Sequence, residues 1–454
     1  MFEDTIISIS TPIGFGGLGI IRLSGNNSLS IAKKIFKPKK GRQVQPRRSV
    51  FGHLYNFEQK EYFEEAYLTF FPKPRTYTRE NMVEISCHGS PVILEEAIRL
   101  GIKAGARPAN PGEFTLRAYL SGRIDLLQAE AVNDLIRASS LRQARLSFNQ
   151  VEGKLSSKMA SLRAKVVHLL ARIEASLEFP DEGLRASPKQ TEKTLENLVF
   201  FLRQLIRSYD IGKSLVEGIT LAITGRANVG KSTLFNSLLE RDRAIVTPYP
   251  GTTRDYLKES IRINEAIFTL IDMAGIERSS HPAEKEGVRK GKRIAEKAEG
   301  VLLLLDSSRR ESPEDFRLIE KFKTKKTLLL FNKMDLPQKM NKTKLKGKTE
   351  QIPALDISAL KGTNLNKLKK MISEFFLPTQ EESEDIILHL RQKLLLEDIE
   401  ACLIKGQHLL KEGYPEEIYV EEIRKAVPLI GQLTGEIRSD EIIEDIFRRF
   451  CVGK

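Results

Sequence analysis

Apolar residues recur every three or four positions at Leu155, Met159, Leu162, Val166, Leu169, Ile173 and Leu177. That spacing places them on one stripe of a long helix, a face that has to be buried in a core. Pro180-Asp181-Glu182-Gly183 interrupts the stripe. A second helix carries Leu195, Leu198, Leu202, Leu205 and Tyr209. From Gly218 the period changes. Short apolar runs at Ile219–Thr224, Ile267–Ile271, Val301–Leu305, Thr327–Phe331 and Ala354–Ile357 are separated in places by helical segments. They predict a mostly parallel sheet covered by helices. This pattern ends near Phe376, acidic residues 381, 382, 384 and 385 follow, and helical patterning resumes from Ile386.

Residues 1–120 read as mixed α/β. Thr5–Ile9 and Gly19–Leu23 are expected strands about a Gly-rich turn, Val83–Ser86 another, and Leu94–Ala104 a helix. An aromatic and proline-rich segment lies around Phe70–Pro74. The predicted fold class is therefore α/β plus all-α. It has an N-terminal α+β domain over 1–120 and a discontinuous helical domain over 121–214 and 379–454. An α/β domain over 215–378 is inserted between its halves.

Composition narrows this little. The 454 residues are 41% hydrophobic and 29% charged, which excludes disorder, collagen and a disulfide scaffold. No apolar run approaches the roughly 18 residues of a membrane span. Met1-Phe2-Glu3-Asp4 is acidic where a signal peptide is basic. Three cysteines, Cys87, Cys402 and Cys451, suit a reducing cytoplasm. The net charge of +13 favours a polyanionic partner. Lys33, Lys34, Lys37, Lys39, Lys40, Arg42, Arg47 and Arg48 form its densest stretch, read either as a solvated loop or as a phosphate-contacting patch.

Chemistry enters with Gly225-Arg226-Ala227-Asn228-Val229-Gly230-Lys231-Ser232, which fits G-x-x-x-x-G-K-[ST] between a strand and a helix opening at Thr233. Its glycines let backbone N–H groups close around phosphates, Lys231 adds charge at the β/γ-phosphates, and the Ser232 hydroxyl suits Mg²⁺. Gly251-Thr252-Thr253 supplies a threonine for the Mg²⁺ shell. Asp272-Met273-Ala274-Gly275 closes a strand, with Asp272 toward Mg²⁺ and the Gly275 N–H toward the γ-phosphate. Asn332-Lys333-Met334-Asp335 offers a carboxylate to the two N–H groups of a guanine edge, and Ser358-Ala359-Leu360 supports the base. The order of these elements favours GTP as substrate over the ATP of a kinase.

Hydrolysis poses a problem. The water-positioning glutamine of Ras-like enzymes is replaced by Ile276, which cannot orient water. Glu277, Glu284 and Glu286 are candidates for that role, Arg226 and Arg254 are the cations nearest the phosphates in sequence, and the Asn228 side chain could ligate a cation.

The chain resembles the bacterial tRNA-modification GTPases of the MnmE (TrmE) family over essentially its whole length. The resemblance rests on Gly225–Ser232, Ala244–Thr247, Gly251–Asp255, Asp272–Gly275, Pro108–Leu126 and the tail Cys451-Val452-Gly453-Lys454. It implies a folate-binding, dimerising N-terminal domain and an inserted Ras-like P-loop GTPase domain. The implied reaction installs a (carboxymethyl)aminomethyl group at C5 of a tRNA wobble uridine. It is carried out with an MnmG-type flavoprotein in a heterotetramer or larger, and 5-formyltetrahydrofolate or a related tetrahydrofolate is the one-carbon donor. The chain is implied to be a homodimer whose G domains pair with GTP and K⁺.

Residue by residue, the resemblance implies K⁺ ligands Asn228, Thr247, Tyr249 and Thr252, and Mg²⁺ ligands Ser232 and Thr253. Glu284 is implied to orient water, and Arg22, Glu84, Arg123 and Lys454 to hold folate. Cys451 matches the family's tail cysteine, read either as a catalytic thiol or as a small buried residue. Met273, Arg123 and Val452 depart from common family choices, and Pro248 and Pro250 stiffen the K⁺ loop. A ribosome-assembly GTPase switch that binds RNA is the alternative reading. A folate enzyme with a vestigial G domain is a third.

Overall fold

The computed structural model describes residues 3–178, 187–216, 218–242, 258–264, 266–272, 298–345, 352–377, 386–437, 440–451 and 453. Its strands are β1 (Ile6–Ile9), β2 (Gly16–Ser24), β3 (Phe36–Pro38), β4 (Ser49–Asn56), β5 (Glu61–Phe71), β6 (Met82–Gly89), β7 (Arg107–Pro108), β8 (Ile219–Gly225), β9 (Lys258–Ile263), β10 (Ala266–Asp272), β11 (Gly300–Asp306), β12 (Thr327–Asn332) and β13 (Ala354–Asp356). The helices are α1 (Ser28–Ile35), α2 (Pro91–Lys103), α3 (Glu113–Leu120), α4 (Leu126–Ile136), α5 (Leu141–Val151), α6 (Lys154–Glu178), α7 (Pro188–Val216), α8 (Lys231–Asp242), α9 (Pro313–Phe322), α10 (Leu365–Phe376), α11 (Leu390–Lys411), α12 (Glu416–Arg424), α13 (Ala426–Thr434) and α14 (Asp440–Arg448). They fall into two compact units, one of residues 1–133, 150–191 and 405–454, the other of 134–149 and 192–404.

The first unit holds a seven-stranded sheet in the order β3-β4-β5-β6-β2-β1-β7, antiparallel except for β1 against β7. Period-two alternation turns Val50 and Leu54 of β4 inward and leaves Phe51, His53 and Tyr55 half-exposed. α1 and α2 cover the inner face, packing Ile31, Ile35, Leu94 and Leu100 against Ile7, Ile21, Leu68 and Ile85. The expected strands at 5–9, 19–23 and 83–86 are present, and the segment around Phe70 is the end of β5. The α6 stripe is buried from Leu155 to Ile173, and α6 packs on α12 and α13.

The second unit holds a six-stranded sheet in the order β13-β12-β11-β8-β10-β9. Five strands are parallel, and β9 adds an antiparallel edge through its hairpin with β10. β11 and β12 are buried throughout, as central parallel strands with both faces covered must be. No helix among the described residues is long and apolar enough to cross a membrane.

Candidate functional site

The second unit gathers its motif residues at the carboxyl ends of β8, β10, β11 and β12, where open α/β sheets bind ligands. β8 runs out at Gly225, and the loop to α8 turns through Asn228 (φ 63°) and Gly230 (φ 98°). A Cβ at Gly230 would stand 2.4 Å from Asn332 Nδ2, so this close approach admits only glycine. Asn332 is 2% exposed. Its Nδ2 donates to the Val229 carbonyl at 2.8 Å, and its Oδ1 accepts the Ala359 N–H at 2.9 Å. One side chain thus joins phosphate loop, β12 and the Ser358 loop. Lys231, buried, donates to the carbonyls of Gly225 and Arg226 at 2.8 and 2.7 Å, which holds its ammonium over the loop.

Ser232 Oγ donates to Asp272 Oδ2 at 2.7 Å. Asp272 is fully buried. A hydroxyl and a carboxylate fixed side by side form the hard oxygen set that Mg²⁺ takes. On the base side, Ser358, also fully buried, donates to Asp335 Oδ1 at 2.5 Å and aims that exposed carboxylate. Leu360 is 74% exposed, Val229 is buried and Thr233 lies half-buried in the first turn of α8. Arg226 does not face the phosphate loop: its guanidinium pairs with Glu314 at 3.1 Å and Asp315 at 3.5 Å, at the start of α9. Thr247, Tyr249, Gly251, Thr252, Thr253, Met273, Ala274, Gly275, Glu284 and Lys454 lie outside the described residues.

The first unit brings together the other set. Arg22 on β2 and Glu84 on β6 face each other in register, with Nη2–Oε1 at 2.7 Å. The Arg22 guanidinium lies 5.8 Å from the Phe114 ring centre. Arg123 stacks 4.6 Å over Tyr77 and donates to the Tyr77 carbonyl at 3.2 Å. Burial pushes the Tyr77 phenol up, against the opposing effects of its Thr115 hydrogen bond and of the nearby Arg123 and Arg22 charges. The tail reaches the same sheet. The Gly112 N–H donates to the Cys451 carbonyl at 3.3 Å, and Ser10 Oγ donates to the Gly453 carbonyl at 3.2 Å. Gly453 adopts φ 96°, and a Cβ there would meet the Ile9 carbonyl at 2.1 Å. The Cys451 residue is exposed and free. Cys87 is buried, and burial, with Glu64 nearby, pushes its thiol up to about 11.

Sequence reasoning missed three features. Asp306 ends β11 as Asp272 ends β10, a repetition that the sequence displays. Tyr77 and Phe114 back the Arg123 and Arg22 charges, which no spacing signals. Ile13 and Phe15 in the β1–β2 loop are 92% and 93% exposed; the surrounding glycines are the available hint.

A six-stranded, mostly parallel sheet, a glycine-lined loop opening α8, and an Asn-Lys-x-Asp end to β12 define a P-loop GTPase, here joined to an α+β unit with its own cationic site. Residues 5–123 match the family profile described as "GTP-binding protein TrmE N-terminus", and residues 126–451 match "MnmE helical domain". The tRNA modification GTPases MnmE of Thermoanaerobacter sp. and Aquifex aeolicus are 37% and 38% identical, each over 100% of both chains. That of Thermotoga maritima is 38% identical over 99% of this chain and 100% of its own. The chain belongs to the MnmE family of tRNA-modification GTPases, and it is a GTP hydrolase. Among solved structures it is similar to a point variant of Aquifex aeolicus Era bound to GDP·AlF4⁻, at 30% identity and TM-score 0.28 over 41% of this chain and 66% of that one.

Proposed function

We propose that the chain is a K⁺-activated, Mg²⁺-dependent GTPase that acts on tRNA. With an MnmG-type flavoprotein it installs a (carboxymethyl)aminomethyl group at C5 of a wobble uridine, using 5-formyltetrahydrofolate or a related folate as donor. The carrying observation is the Arg22–Glu84 pair, with Arg123 and the Gly453 tail on the same unit. A ribosome-assembly switch has no need of such a set. Arginines suit a glutamyl carboxylate, and Glu84 suits the N–H donors of a pterin. Lys454 would add a further cation, and Cys451, exposed, accepts the Gly112 N–H at its carbonyl on the same unit. When bound, the folate supplies the one-carbon unit.

In the G domain, over 215–378, Lys231 faces the β/γ-phosphates, Ser232, Thr253 and Asp272 suit Mg²⁺, and Asp335 reads guanine. Asn228, Thr247, Tyr249 and Thr252 suit K⁺, which when bound supplies the charge of an arginine finger. Glu284 orients the water that attacks the γ-phosphorus as GDP leaves. The Arg226 pairing with α9 supports a cation other than this arginine in that role. Nearly full exposure of Ile13 and Phe15 supports a homodimer formed through the N-terminal units, since such apolar area favours burial. We place the protein in the cytoplasm.

The test is GTP turnover in KCl against NaCl at equal ionic strength over a range of protein concentration, with Glu284→Ala alongside. Turnover should need K⁺ and rise with concentration. Glu284→Ala should lower it about 100-fold or more at kept nucleotide affinity. Cation-indifferent turnover would move the weight to a switch, and absent 5-formyltetrahydrofolate binding would complete that refutation.

A further inference from the structure

Two central strands of the GTPase sheet end in aspartate. Asp272 meets Ser232 and belongs to the nucleotide site. Asp306, at the end of β11, has no part in the function argued above, yet it is 7% exposed. Its Oδ1 accepts the Ser308 N–H at 3.0 Å and the Ser308 hydroxyl at 2.6 Å. Its Oδ2 accepts the Lys333 ammonium at 2.6 Å. The same ammonium donates to the Asn228 carbonyl at 2.8 Å. One lysine nitrogen therefore lies between a carboxylate fixed on the sheet and the main chain of the phosphate loop.

The residues so joined are conformationally unusual. Lys333 has φ 67° and Asn228 φ 63°, the left-handed region that non-glycine residues hold only against a local cost. Each sits in a loop that touches the nucleotide in the proposed function. Burial opposes ionisation of Asp306, but Lys333 and the Ser308 hydrogen bonds outweigh it and hold the carboxyl below its usual range. Arg309 stands 3.7 Å from the same oxygen but is 68% exposed, so solvent screens it.

We propose that Asp306 is a positioning residue of the GTPase site, holding Lys333 so that the guanine-reading loop and the phosphate loop behave as one body. A consequence, which rests on the K⁺ reading of Asn228, is that Asp306 also fixes the peptide from which the cation ligand projects. Without the carboxylate, the ammonium keeps a neutral carbonyl partner in a half-buried place. It would then turn to solvent and release Asn228.

The experiment uses the full chain and Asp306→Asn, which keeps the shape and removes the charge. It measures affinities for N-methylanthraniloyl-labelled GDP and GTP, and competition by inosine triphosphate, which lacks the exocyclic amine that Asp335 accepts. Loss of this charge-assisted bond should weaken both nucleotides about ten-fold or more. It should also narrow the preference for GTP over inosine triphosphate and raise KM more than it lowers kcat. Wild-type affinities and a wild-type preference would overturn the proposal, even in a variant of lower unfolding midpoint, because Asp306 would then serve only the strand end. Ser308→Ala keeps the charge and loosens the carboxylate, and should shift affinity the same way by about two-fold. If Asp306→Asn does not fold, an unshifted Ser308→Ala overturns the proposal alone. The K⁺ concentration for half-maximal turnover should rise in Asp306→Asn. If the wild type shows no K⁺ stimulation, the cation reading fails by itself, since the affinity measurements do not depend on it.

Discussion

Asn332 hands one hydrogen bond to Val229 and takes another from Ala359, at 2.8 and 2.9 Å, from a side chain almost wholly buried. It spans the phosphate loop and the base loop before any ligand is considered. Asn332→Asp replaces the donating nitrogen with a second acceptor facing the Val229 carbonyl. Two buried acceptors then oppose each other, at a cost of about 1–3 kcal/mol. Guanine-nucleotide affinity should fall at least ten-fold, and the urea midpoint of the GTPase unit should drop. Affinity at the wild-type level would mean the clasp is not what shapes the loop.

Arg226 stands inside the phosphate-binding motif, which makes it a tempting arginine finger. Its guanidinium instead pairs with Glu314 and Asp315, where Asp315 also closes a capping box with Ser312. The Glu314 arm is open to solvent and contributes about 1 kcal/mol or less, and the Asp315 arm, at 3.5 Å, turns the guanidinium to a buried carboxylate on α9. Arg226→Ala should therefore leave kcat for GTP within about three-fold, whereas loss of a finger costs about 10³ or more. Single-turnover GTP hydrolysis distinguishes the two directly.

In the N-terminal unit, Glu113 on α3 is nearly buried beside Arg107, at 2.6 Å, and Arg117, at 2.9 Å. Burial opposes its ionisation, but Arg107, the Asn110 N–H and Arg117 outweigh it, and the carboxyl is held below its ordinary 4.5. A depressed carboxyl contributes stability that is present above the unfolded value and lost as pH falls through the folded one. Amide protection of α3, corrected for intrinsic exchange, should therefore decline as pH drops below about 4.5. In Glu113→Gln it should start lower and lose this slope. An equal slope in both proteins would assign the acid sensitivity to other groups.

What the sequence disclosed follows from how far each signal is local. Val301–Leu305 is an unbroken aliphatic run, and it is a buried central strand. The stripe from Leu155 repeats at helical spacing, and it is the buried face of α6. β4 and β5 escaped because Gly52 and Glu64 put no apolar side chain on the inward phase of their alternation. Pairing with β3, with each other and with β6 makes them strands. At the candidate nucleotide site, Lys231, Ser232 and Asp335 can be picked out from the sequence because the role proposed for each lies within its own motif. Asp306 is not, because its meaning comes from Lys333, which a crossover away returns to the same edge of the sheet. Tyr77 and Phe114 are silent for the same reason: a ring supports a guanidinium only once the fold has stacked them.

The Arg22–Glu84 pair is open to a simpler reading, as a cross-strand ion pair that stabilises the sheet. Charge reversal separates the two. Arg22→Glu or Glu84→Arg alone sets like charges face to face and should lower stability. The double exchange restores an opposite pair at the same register, so stability should largely return. Ligand binding should not, because a cation and a carboxylate aimed at two ends of one molecule have changed places. We expect 5-formyltetrahydrofolate affinity, measured by calorimetry, to fall about 100-fold or more in both singles and to stay low in the double. GTP hydrolysis by the other unit should change little in all three. Should folate affinity return with stability in the double exchange, the pair is a strand staple and the folate site lies elsewhere.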